Sequence, residues 1–204
     1  SGLLSFAVAA HSWKHSIREA YSMPLRRFLS QIALAALLAS GTARAADGDL
    51  EIALQAFDAG NYAKAAPLLR SLAEAGNSAA QHRLSVLYFY GKGVPENERT
   101  AMDLAKQSAA RGNTDAMYFL GTMFVFGDDA PKLVDDPDRE AAKWYFEAAR
   151  KGHADAEYGL GLMFLAGKGV VQDQAEALKW IRKAAEHGHP GARSFVASHS
   201  EAAK

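Results

Sequence analysis

Three histidines, His153, His187 and His189, raise the possibility of a metal centre, because neutral imidazole is a common ligand for zinc and related ions. His187 and His189 flank Gly188, and His153 precedes His189 by 36 residues. Ligand pairs on a helix sit four residues apart, and no carboxylate is spaced to orient these rings, so the pattern predicts structural or solvated histidines and no metal. The acidic run Asp128-Asp129 to Asp135-Asp136-Pro137-Asp138 could offer oxygen ligands to a divalent cation. It lacks the alternating order of a calcium loop and predicts a solvated loop with Asp138 capping the next helix. The GKGV segments at 91–94 and 167–170 lack the spacing of a phosphate loop. No serine stands in a nucleophile elbow, and no Ser, His and Asp follow a recognisable catalytic order. The chain has no cysteine, which removes thiol nucleophiles, thiolate metal sites and disulfides. The expectation is a protein that is not an enzyme and uses no catalytic residue, metal or cofactor.

The elements that carry these residues recur along the chain. Gly76, Gly112, Gly152 and Gly188 follow one another at intervals of 36, 40 and 36, each placed to end a helix in the left-handed conformation. Residues 153–188 show the unit most clearly, with Ala156, Leu160, Gly161, Phe164, Gly167, Gly169, Val170, Asp173, Ala177, Trp180, Ala184 and Ala185. Residues 77–112 repeat it with Ala80, Leu84, Ser85, Tyr88, Gly91, Gly93, Val94, Ala101 and Leu104. Residues 113–152 repeat it with Ala116, Leu120, Gly121, Phe124, Gly127, Ala141 and Trp144, plus four extra residues between Gly127 and Val134.

Spacings of four from Ala to Leu to the aromatic put three side chains on one helical face. Two glycines then break the helix, and a second helix presents alanines at spacings of three and four. The predicted architecture is all-α: antiparallel helix hairpins that bury their apolar faces only by stacking on one another. Residues 46–76 read as an N-terminal capping hairpin, 77–112, 113–152 and 153–188 as three repeats, and 189–204 as a C-terminal capping helix and tail.

Basic and acidic residues both number 23 across the chain, so no net field points to nucleic acid. Residues 46–204 hold 18 basic and 22 acidic residues. Arg26-Arg27 precede an apolar stretch from Phe28 to Ala39, and Ala43-Arg44-Ala45 has the small-x-small order of a signal-peptidase site. Residues 23–45 therefore read as a signal peptide cleaved after Ala45, which predicts a periplasmic or secreted protein. The apolar stretch is about 12 residues long, against the roughly 20 needed to span a bilayer, so no membrane span is expected after cleavage. Residues 1–22 precede the first methionine, Met23, and read as a mis-assigned start or added residues without structure.

The order Ala-x-x-x-Leu-Gly-x-x-aromatic-x-x-Gly-x-Gly-Val, followed by Ala-x-x-Trp-x-x-x-Ala-Ala, resembles the Sel-one-like repeats, relatives of tetratricopeptide repeats. The likeness spans about residues 77–198. It implies a right-handed α-α superhelix and a role as an adaptor or scaffold, often in bacterial envelopes. Some secreted relatives are described as binding or hydrolysing β-lactams, which supplies the alternative expectation of a cell-wall or β-lactam protein. Those relatives are cysteine-rich, unlike this chain.

In stacked hairpins the first helices line the concave face. Counting two before, two after and five after each template Leu selects His82, Val86 and Phe89, then Tyr118, Thr122 and Val125, then Tyr158, Leu162 and Leu165. Several of these could equally pack against the next repeat. As a face, the stripe suits a protein or peptide partner laid in a groove.

Overall fold

A computed structural model describes residues 48–201 of the protein. The signal-peptide and start-site readings for residues 1–45 lie outside the described residues. The described helices are α1 (48–58), α2 (Tyr62–Glu74), α3 (Ser78–Phe89), α4 (Glu98–Ala110), α5 (Thr114–Phe126), α6 (Ala130–Leu133), α7 (Pro137–Ala149), α8 (Ala154–Ala166), α9 (Gln174–Glu186) and α10 (Pro190–Glu201). Among the described residues there is no strand. Apart from the one-turn α6, each helix from α2 onward packs on the next, with α5 meeting α7 directly. The chain is an all-α solenoid of helical repeats.

The helix boundaries follow from their caps. The side chains of Asn61, Asn77, Asn97, Asn113 and Asp173 each accept the backbone N–H three residues on, which satisfies a donor that the first turn would otherwise leave bare. The opposite ends close on Gly76, Gly112, Gly152 and Gly188, whose φ values of 86°, 88°, 84° and 95° lie in the left-handed region.

Alanines with no exposed surface stand at the same template positions in every repeat: Ala65, Ala101, Ala141 and Ala177 on second helices, Ala80, Ala116, Ala156 and Ala192 on first helices. With only a methyl group at the crossing the backbones approach closely. Larger side chains such as Leu69, Leu87, Leu120, Leu160 and Ile181 fill the space to either side. Trp180 is buried and Trp144 is half-buried against the central core. Polar ties cross the repeats as well: the buried Ser108 hydroxyl donates to the Ser78 carbonyl at 2.7 Å, joining the end of α4 to the start of α3.

The acidic insertion differs from the expected solvated loop. It holds the helical turn α6, with Ala130 buried, because the backbone N–H groups of Asp128 and Asp129 donate to the Glu98 carboxylate at 2.9 and 2.8 Å. The cap of α7 is Asp136, whose carboxylate accepts the Arg139 N–H at 3.0 Å. The expectation of Asp138 is corrected, since Pro137 fits the first helical position and places Asp138 inside the first turn.

Two glycines separate conformational strain from steric overlap. At Gly112 (φ 88°) a Cβ would meet nothing within 4 Å, whereas at Gly169 (φ 66°) it would overlap the Asp138 carbonyl of α7. Gly112→Ala is expected to cost about 1–2 kcal/mol by denaturant unfolding, the left-handed penalty alone. Gly169→Ala is expected to cost clearly more, because backbone must also move. Equal losses would mean that the turn before α9 does not rest on α7.

Candidate partner-binding face

The nine stripe residues divide into an inner row and an outer row. His82 is 7% exposed and meets the Phe119 ring edge-on at 5.8 Å between centroids. Phe89 is half-buried and also lies edge-on to Phe119, at 5.5 Å. Tyr118 is half-buried and stacks on Tyr145 of α7 at 5.5 Å and on His153 at 4.8 Å. Tyr158 repeats the second contact on His189 at 4.2 Å. The Thr122 hydroxyl donates to the Tyr118 carbonyl and lies 3.4 Å from the Tyr145 hydroxyl. Val86 rests half-buried on the central core, and Leu165 on the core that joins α9 to α10.

The outer row is accessible. Val125 is 37% exposed and Leu162 is 40% exposed. The next position along each helix, which the counting rule passed over, is more open still: Tyr90 at 52% and Phe126 at 72%. The signal was present in the sequence, since both follow the template Leu by six residues, Tyr90 just past the end of α3 and Phe126 as the last residue of α5.

The inner row is held by a device that recurs from repeat to repeat. His153 and His189 are the N-caps of α8 and α10: each Nδ1 accepts a backbone N–H, from Ala156 at 3.3 Å and from Ala192 at 3.0 Å. Each Nε2 faces an aspartate of the preceding first helix, Asp115 at 3.4 Å and Asp155 at 3.6 Å. The capping bond fixes Nδ1 as the acceptor, so the ring proton sits on Nε2, towards the carboxylate. Asp, His and Tyr therefore make one unit that orients the first helix of one repeat on the next. The 40- and 36-residue intervals of Asp115 to Asp155 and His153 to His189 could have revealed it from sequence.

His187 is engaged elsewhere. Its Nδ1 lies 2.7 Å from the Glu157 carboxylate, which is fully buried at the start of α8. The three histidines thus face three different carboxylates. Among the described residues no three potential ligands converge on a point that could hold a metal ion.

Tyr145 lies between two first helices because both make room for it. A Cβ on Gly121 would overlap its ring, and one on Gly159 would come within 3.2 Å of it. Burial pushes the Tyr145 hydroxyl up to about 12.

This geometry coincides with three matches to the Sel1 repeat, at residues 78–113, 114–153 and 154–189. The chain belongs to the Sel1 repeat family. These frames start at the first residue of α3, α5 and α8, one residue later than those read from the glycine intervals. A Sel1 repeat protein from Oxalobacter formigenes is similar in structure, with a TM-score of 0.62 and 33% identity over 69% of this chain. A protective antigen of uropathogenic Escherichia coli strains displaying an SLR fold is similar with a TM-score of 0.65 and 29% identity over 75% of this chain. The chain spans 56% of the first relative's length and 33% of the second's. No curated protein matches. The Sel1 repeat fold is one that serves protein–protein interaction scaffolds.

Burial, and secondarily the neighbouring charge of Arg83, lower the pKa of His82 from 6.5 to about 4. Below pH 6.5 the unfolded chain takes up a proton that the folded chain refuses. Stability from this residue is therefore level above about pH 6.5 and falls as pH drops towards 4. His82→Phe keeps an edge-on ring against Phe119 and is expected to remove roughly 2 kcal/mol of the loss between about pH 7.5 and pH 4.5 in urea unfolding. The same loss in both proteins would refute a neutral, buried His82.

Proposed function

We propose that this Sel1 repeat protein is an exported interaction module that holds a peptide or protein partner along its first helices. The observation that carries the reading is a set of exposed apolar side chains on the first helices, of which Tyr90 and Phe126 hold the same template position one repeat apart. Tyr90, Val125, Phe126 and Leu162 stand in water on a scaffold whose own core is already filled. Isolated exposed apolar residues are ordinary, but several on successive first helices, beside a rigid aromatic inner row, have the form of an interface. The inner row, Tyr118 and Tyr158 included, acts as the floor that sets the spacing of the outer row.

Export is read from the 23–45 segment. Among the described residues no helix is long and apolar enough to cross a membrane. The function requires no cofactor, and the histidine and aspartate side chains of the face are used in capping and stacking.

The test is affinity capture from an extract of the producing cells with wild type and with the double variant Val125→Glu, Leu162→Glu. Both positions are exposed, so the variant should unfold within about 0.5 kcal/mol of wild type per substitution. A partner held by wild type and lost by the variant is the expected result. A partner held equally by both would place the interface elsewhere.

A further inference from the structure

The middle repeat departs from its neighbours beside the most exposed aromatic of the row. Tyr90 and Phe126 hold the same template position, the first 52% and the second 72% exposed. Two residues further on, the first repeat has Lys92, the middle repeat Asp128 and the third Lys168. Lys92 turns back over the Tyr90 ring, with Nζ 5.4 Å from its centroid, and lies equally close to the ring of Tyr62. Lys168 has no such ring to cover, because Ala166 stands at the position of Tyr90. Phe126 alone combines an exposed ring with a carboxylate at the place of the lysine. Among the described residues no Lys or Arg lies over it.

Asp128 is fixed at that edge. Its backbone N–H and that of Asp129 donate to the Glu98 carboxylate, while the Asp128 side chain stays exposed. Lys132, the cation of the insertion, is taken up by Asp129 at 2.6 Å. Asp135 and Asp136 are also exposed on the segment that leads from α5 to α7. At the starts of α5 and α8, the side chains of Asp115 and Asp155 are 58% and 54% exposed. The apolar strip of Val125, Phe126 and Leu162 therefore lies between carboxylates.

That arrangement selects a class of occupant. A ring face attracts a cation through its quadrupole, and a carboxylate beside the ring can pair with the same cation. A guanidinium suits both, since it stacks flat on the ring and offers several N–H donors in its plane. Lys92 repels such a group from Tyr90, which directs it to α5 rather than α3.

We infer that the partner segment on the first-helix row is basic and amphipathic, with an arginine over Phe126 paired to Asp128 and apolar side chains on Val125 and Leu162. That occupant presupposes the row as the interface.

The experiment follows, by fluorescence anisotropy, binding of the full chain to a labelled amphipathic peptide of leucine and arginine and to its counterpart of leucine and glutamate. The arginine peptide is expected to bind saturably with a Kd on the order of 10 μM, and the glutamate peptide at least about tenfold more weakly. Asp128→Lys, which installs the residue of the other repeats, should weaken the arginine peptide about fivefold, and Phe126→Ala about threefold. Both side chains stand in water, so both variants should keep the wild-type unfolding midpoint. Glu147→Lys makes the same charge change on the second helix α7 and should leave binding unchanged. Equal affinity for the two peptides, no saturable binding of the arginine peptide, or equal loss in Asp128→Lys and Glu147→Lys would overturn the proposal. If the two peptides bind equally and both are lost in Val125→Ser, Leu162→Ser, the row stands as the interface and only its basic occupant falls.

Discussion

The close approach of neighbouring helices through fully buried alanines is the constraint on which the rest of the molecule depends. Ala80, Ala116, Ala156 and Ala192 on first helices and Ala65, Ala101, Ala141 and Ala177 on second helices have no exposed surface, and the Ala177 carbonyl lies against Gly161, where a Cβ would come within 3.1 Å of it. A larger side chain at any of these crossings would separate backbones that the cores on either side require to be close. Because the contact is a methyl group, each hairpin gains little by itself and gains most by stacking. Large apolar residues are consequently moved to the flanks of the crossings. Those that point between repeats complete the core, and those that point away remain in water as a row.

Inter-repeat orientation adds polar chemistry to that packing. The repeated Asp, His and Tyr units use each imidazole three ways: Nδ1 caps a helix, Nε2 meets a carboxylate, and the ring face covers a tyrosine. Tyr145 adds a ring seated against Gly121 and Gly159 of successive first helices. These contacts fix the first helices relative to one another, and a row of exposed groups needs that rigidity to present a regular face.

The fold was legible because its determinants are local and recur. Left-handed glycines and the Ala-Leu-aromatic spacing each act within one or two turns, so their intervals display the architecture. The candidate face was legible only in part. His82 and Tyr118 were chosen by helical position, but their surroundings come from the next repeat, including Phe119, Tyr145 and His153, which single-helix geometry does not contain. Histidine is an unusual N-cap, so His153 and His189 first suggested ligand chemistry. The cap at Asp136 and the turn at Ala130–Leu133 escaped because they depend on Pro137 and on Glu98, some 30 residues away.

The central claim is that the exposed row on the first helices is where a partner sits. Site-specific photocrosslinking tests it directly, with a benzophenone amino acid placed at Leu162 on the row or at Arg182, an exposed position on the second helix α9. In an extract of the producing cells, a discrete adduct from position 162 and none from 182 is the predicted result. An adduct from 182 with none from 162 would contradict the account and move the interface to the second helices.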